Sequence, residues 1–321
     1  MAMKTLSRWF VLGGRLRSGW RVSLYLACYG IGLLLVQIPI VTVYIAYLIA
    51  HGMNAMGDIV AQLQTSQLPA WLYGVLKLGE LAMLVPLTAL FRRFVDRRTW
   101  VSLGFNRGQG WPLDVALGLA LGGVQMALIF GVGWAGGWLD VSLLSGPTLA
   151  RALMDDLIVT GMFVLVAFGE ELMFRGYLQT NLGEGVGAWG ALLLTSALFS
   201  LFHGLNPNLS WLALVNIALA GLSMGYGRMV SGALWLPMAY HWSWNWFQGA
   251  VLALPVSGVR FGGLLHVADR GTAPLLTGGA FGPEGGLIAT VALLLSFPLF
   301  WWWGHRSRTR SASSISPMPR T

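Results

Sequence analysis

The chain has 321 residues, of which 56% are hydrophobic and only 10% charged, with a mean hydropathy of +0.67. A soluble domain carries about 25% charged residues, so this composition excludes a water-soluble enzyme and reads as an integral membrane protein. The net charge of +8 comes from 18 arginines and two lysines clustered between apolar runs, which fits membrane-flanking loops; with no basic stripe interleaved with aromatics, a nucleic-acid partner is excluded.

Cys28 is the single cysteine, so an intrachain disulfide and a thiolate metal cluster are both excluded. Residues 1–21 form a basic interfacial arm, with Arg15, Arg17 and Arg21 among aromatic residues. Two N-terminal spans follow within 22–99: Val22 to Ile49, and Trp71 to Phe91, where Lys77 and Glu80 are spaced to pair. The block Arg92 to Arg98 is the densest positive stretch. A third span runs from Pro112 to Trp138, with Gly118 and Gly122 spaced for close helix contact, and a polar loop surrounds Pro147 and Arg151. Spans four to seven are expected at Asp156 to Thr180, Ala188 to His203, Leu209 to Tyr226 and Ser231 to Leu254, with a glycine-rich turn from Asn181 to Gly187 between the first two. A Gly-rich connector over 255–284 leads to an eighth span, Gly285 to Trp303, and 304–321 read as a disordered basic tail. The fold class is therefore all-α, a polytopic bundle of about eight transmembrane helices. Arginine bias places both termini on the cytoplasmic side.

Charges within apolar runs are costly, so they mark candidate sites. On a helix, Glu171 and Arg175 lie four apart and face each other, while Glu170 sits about 100° round. The plain reading of the pair is a helix-end ion pair near the interface. Three more polar groups share its surroundings. His203 closes span five; His241 and Asn245 lie four apart in span seven. At 1.5 Å per residue from the cytoplasmic ends, the four groups fall at depths of about 15–21 Å, a single slab near mid-membrane. A carboxylate with an imidazole can deprotonate water, or hold a divalent metal that acidifies it. The His–Asn pair could stabilise an oxyanion or complete a metal site. No His-Glu-x-x-His, Gly-x-Ser-x-Gly or Walker loop competes, and His51, His266 and His305 lie in loops or at a helix end.

Glu170-Glu171 with Arg175, Phe199 with His203, and His241 with Asn245 resemble the three ordered motifs of the CPBP family, the CAAX prenyl endopeptidases and bacteriocin-processing enzymes also called Abi. The resemblance spans roughly residues 100–255 and implies an intramembrane endopeptidase core over 100–303. It implies that Glu170 activates water with help from His203, that His241 and Asn245 contact the scissile carbonyl or its oxyanion, and that Glu171 and Arg175 support this geometry. Glu170, His203 and His241 could ligate Zn2+ or another divalent metal with an open fourth position, or could act with no metal. The implied partners are the lipid bilayer and a peptide or membrane-protein substrate, with a prenylated Cys-a-a-X tail as the family's precedent; the arginine bias reads as prokaryotic, in a cytoplasmic membrane. A non-proteolytic scaffold or immunity protein, and a proton-coupled transporter, are the competing readings. Oligomeric state is not legible.

Overall fold

The structure is a computed structural model describing residues 11–12, 15–53, 55–64, 68–108 and 110–313. After a short hairpin of β1 (Val11–Leu12) and β2 (Arg15–Leu16) come α1 (Ser18–Ala50), α2 (Met56–Gln64) and α3 (Ala70–Leu90), which runs into a π-helical turn at Phe91–Val95. Then follow α4 (Trp111–Ala135), β3 (Leu139–Leu143), α5 (Gly146–Glu171) with a π-helical turn at Leu172–Leu178, and α6 (Gln179–Phe202). The chain closes with α7 (Trp211–Ser231), α8 (Trp235–Asn245) with a π-helical turn at Trp246–Val251, β4 (Leu265–Asp269), α9 (Pro274–Thr277) and α10 (Leu287–Ser313). This is an all-α polytopic bundle of an integral membrane protein.

Among the described residues, six helical segments are long and apolar enough to cross a membrane: Ser18–Ala50, Ala70–Val95, Trp111–Ala135, Thr148–Phe202, Trp211–Ser231 and Leu287–Arg306. The expected count of eight is not matched, for two reasons. Spans four and five fall within the single segment Thr148–Phe202, because the turn expected over Asn181 to Gly187 narrows to Gly187, whose φ of 77° and ψ of 168° break the helix; the two halves pack on each other, Phe174 against Phe199 and Phe202. Span seven contains only 11 residues of α-helix before its π-helical turn. The last helix extends through Ser313, well into the predicted tail, whose remainder lies outside the described residues. Lys4 and Arg8 of the N-terminal arm also lie outside them.

Outward-facing apolar side chains such as Leu35, Val43 and Leu128 remain exposed on the bundle, as expected where the solvent is lipid. Inside, α4 and α8 make the closest helix contact. A Cβ on Gly118 would stand 2.6 Å from the Leu236 carbonyl oxygen, and one on Gly122 2.6 Å from that of Tyr240. The expected small-residue contact is thus present, and it holds α8 against the bundle. The same region is tied by polar bonds: Tyr240 Oη donates to Gln125 Oε1 at 2.7 Å, and Gln125 Nε2 donates to the Ala292 carbonyl at 2.7 Å. Cys28 packs against the core.

Arg21 departs from the sequence reading. It is buried rather than interfacial, and its guanidinium donates to Asp96 Oδ1 at 2.9 Å, Asn181 Oδ1 at 2.7 Å and Glu184 Oε2 at 2.6 Å. Arg92 donates to the other oxygen of Asp96 at 3.0 Å. One buried carboxylate thereby bridges two arginines from the predicted loop-facing basic clusters, with Glu184 as a second acid on Arg21, joining α1, the turn after α3, and α6. The 255–284 connector is also more ordered than its composition suggests: β4 pairs antiparallel with β3, Leu139 opposite Asp269, and Arg270 bonds to Asp140.

Candidate active site

All three sequence motifs sit where helix geometry changes. Glu170 and Glu171 end α5, and Arg175 lies in the π-helical turn that follows. His203 caps the C-terminus of α6 with φ −89° and ψ 1°. His241 lies in α8 and Asn245 is its last residue, immediately before another π-helical turn. Such turns insert a residue into the helical ladder and re-aim the side chains around them, and they recur at functional sites.

Glu170, His203, His241 and Asn245 all line one cavity of about 370 Å3. Glu171 and Arg175 are packed behind it, both almost fully buried. Arg175 Nη1 donates to Glu171 Oε1 at 2.8 Å, the pair expected from spacing, and Nη2 donates to the Gly221 carbonyl at 3.2 Å. The same Glu171 oxygen lies 2.9 Å from His241 Nδ1. His241 therefore bridges the adjacent glutamates: Nδ1 meets Glu171, while Nε2 stands 3.9 Å from Glu170 Oε2. One glutamate is spent on structure; the other faces the cavity.

The tautomers follow from the partners. A carboxylate or a carbonyl can only accept, so His241 Nδ1–H donates to Glu171, and His203 Nδ1–H donates to the Phe199 carbonyl at 2.7 Å. Each neutral ring then keeps Nε2 as an acceptor. Phe199, the aromatic of the second motif, ties the motifs together: its ring carries the Arg175 guanidinium at 4.3 Å and lies 4.7 Å from the His203 ring and 6.2 Å from the His241 ring. Around Glu170, the ionisable groups within electrostatic reach are His203, His241, Lys77 and Arg175.

Other groups line the cavity that the sequence did not place there. Lys77 Nζ pairs with Glu80 at 3.0 Å as expected, and Tyr29 Oη donates to Glu80 at 2.7 Å, so α1 and α3 bring a polar triad to the lining. Its burial signal was present as charge in an apolar span; its destination was not. Glu284, in the connector, also lines the cavity and accepts from the Ser257 backbone N–H at 2.6 Å. Burial pushes the Glu284 carboxyl above the usual glutamate range, with the two Ser257 hydrogen bonds opposing. Nothing near Glu284 in the sequence distinguishes it from a surface acid.

The donor set of two imidazole Nε2 atoms and one carboxylate is of the type zinc takes. Among the described residues, however, no group of three or more His, Cys, Asp or Glu side chains is gathered to hold a metal ion. Glu170, His203 and His241 share a cavity without forming a ligand cluster. A fixed carboxylate beside imidazoles in a largely apolar cavity can take a proton from water.

No curated protein and no solved structure matches the chain. Residues 153–247 match the family model described as type II CAAX prenyl endopeptidase Rce1-like. The matched stretch runs from α5 through α8 and contains every residue of the three motifs, while α1, α3, the connector and α10 lie outside it. Across residues 153–247, then, this membrane protein is similar to the Rce1-like type II CAAX prenyl endopeptidases, in line with the family that its motifs resemble.

Proposed function

We propose that the protein is an intramembrane endopeptidase in which Glu170 activates the attacking water. The observation that carries this reading is the division of labour between adjacent glutamates. Glu171 is committed to Arg175 and His241, whereas Glu170 lines the cavity with both histidines and Asn245. Glu170 takes a proton from water as its oxygen attacks the scissile carbonyl, and His203 shares that proton transfer through Nε2. Asn245, through its side-chain N–H, and His241, when protonated so that Nδ1–H stays on Glu171 and Nε2–H turns to the substrate, polarise the carbonyl and steady the oxyanion. The proton on Glu170 then passes to the leaving nitrogen as the C–N bond breaks. The substrate is a peptide or membrane-protein segment, with prenylated Cys-a-a-X tails as the family's precedent, in a prokaryotic cytoplasmic membrane with both termini on the cytoplasmic face.

The test is cleavage of quenched peptides, with and without a lipidated cysteine, by detergent-purified protein. Glu170→Ala and His203→Ala should each lower the rate by about 10²–10⁴-fold. Zinc enters as a test arm: activity that survives chelation supports side-chain chemistry alone, and loss reversed by zinc supports a metal held by Glu170, His203 and His241. Wild-type rates in Glu170→Ala would contradict the proposal.

A further inference from the structure

The cavity has a chemical part and an apolar part. Away from the glutamates and histidines, one part of its lining comes from the connector between α8 and α10, which supplies Val256, Ser257, Val259 and Phe261. This segment lies outside the matched domain. The Phe261 ring meets Phe163 of α5 edge-to-face at 5.4 Å and Tyr73 of α3 at 5.2 Å. Three rings from three parts of the chain thus close on one another at the cavity wall.

The loop that carries Phe261 is fixed at its base. Ser257 holds a left-handed backbone with φ of 49°, followed by Gly258 at 88°, a conformation a serine keeps only when its surroundings impose it. Glu284 imposes it: one carboxylate oxygen accepts from Ser257 N at 2.6 Å and from Ser257 Oγ at 3.0 Å. Asn216 of α7 in turn donates to the carbonyls of Glu284 at 2.8 Å and Gly286 at 3.0 Å. The latch ties the loop to the helices behind the site, so Phe261 is a rigid ring and not a passing contact.

We propose that Phe261, held by the Glu284–Ser257 latch, is the specificity-determining residue of the cavity: it limits the size of the apolar side chain that an extended substrate places beside the scissile bond. Glu284 is a positioning residue. The occupant is apolar because rings and aliphatic groups offer a polar side chain nothing in return for its lost hydration. The inference rests on the proteolytic reading above and adds to it the chemistry of the preferred substrate.

The experiment uses the full chain in detergent and peptides that differ only in the residue flanking the scissile bond: alanine, leucine, phenylalanine or naphthylalanine. Cleavage is measured for wild type, Phe261→Ala, Phe261→Leu, Glu284→Ala and Glu284→Gln, and affinity for the same peptides is measured on Glu170→Ala with and without the Phe261 changes. Phe261→Ala should raise the ratio of kcat/KM for the naphthylalanine peptide over the alanine peptide at least tenfold, within the range a pocket methylene or ring commands. Phe261→Leu should fall between. Glu284→Ala should raise KM with little change in kcat and flatten the preference, and Glu284→Gln, which keeps an acceptor for Ser257, should restore most of it. Unfolding temperatures identify a misfolded variant, in which case Phe261→Leu decides. An unchanged ratio in folded Phe261 variants, in cleavage or in binding, overturns the inference. If folded wild type cleaves none of the peptides, the proteolytic reading falls while the affinity profile still decides the role of Phe261.

Discussion

Arg175 sits at the centre of the residue-scale energetics, because it is an almost fully buried cation whose neighbours include the Glu171 carboxylate, the Gly221 carbonyl and the Phe199 ring. Removing one partner of such a pair leaves the other charged and dehydrated, at a cost of about 3–5 kcal/mol. Arg175→Met should therefore lower the unfolding temperature markedly, and Glu171→Gln should do so less, since the amide oxygen can still accept from Arg175. Both should misplace His241 and lower cleavage. Thermal unfolding in detergent checks the ranking; an Arg175→Met protein as stable as wild type would show that the pair contributes no net stability. The pair was legible in the sequence from its four-residue spacing, as was Lys77 with Glu80. Arg21 was not. Its partners Asp96, Asn181 and Glu184 lie far along the chain, and a buried arginine near a helix start has the same local sequence as an interfacial one.

At the scale of elements, the contact of α4 with α8 positions His241 and Asn245. Gly118→Leu and Gly122→Leu would drive side chains into the backbone oxygens of Leu236 and Tyr240. Each should displace α8 and reduce both stability and cleavage, by at least the 1–3 kcal/mol typical of overpacking; folded, fully active variants would contradict the contact. The clasp of Arg21 and Arg92 on Asp96 makes a second claim at this scale. Asp96→Asn leaves two buried arginines sharing a neutral side chain, and should destabilise the protein by about 3–5 kcal/mol without altering peptide preference. The helix break at Gly187 was missed in detail for a physical reason: glycine-rich sequence permits a turn, but Asn181 is held in helix by its bonds to Arg21 and Asp96, so the kink falls at a single residue. Spans four and five accordingly meet at a single residue, where the sequence predicts a longer turn.

Across the whole molecule, the connector and the long-range β3–β4 ladder form ordered structure outside the spans. Arg270 beside Asp140 holds the aspartate carboxyl below its ordinary value of 3.8. A lowered carboxylate contributes stability that is present above its unfolded value and lost as pH falls through the folded one. The strand contact should therefore persist at neutral pH and weaken below about pH 4, and added salt should weaken it throughout, because the pair is exposed. Hydrogen exchange in β3 and β4 reads this directly; protection that does not change with acid or salt would show that the backbone ladder alone holds the two strands together. At this scale the sequence conveyed the membrane class and the order of the motifs, because apolar runs and ordered polar pairs are local signals. It did not convey that α1, α3 and the connector contribute Tyr29, Lys77, Glu80 and Glu284 to the same cavity, since convergence of distant segments leaves no periodic trace.

The account turns on the different fates of two adjacent carboxylates, and a single variant tests it: Glu170→Gln, measured for unfolding temperature and for peptide cleavage on the same preparation. The arrangement predicts a protein as stable as wild type, because Glu170 faces the cavity and not the Arg175 pair, with cleavage reduced at least about 10²-fold. A stable Glu170→Gln protein that cleaves at the wild-type rate would contradict the assignment of Glu170 as the base.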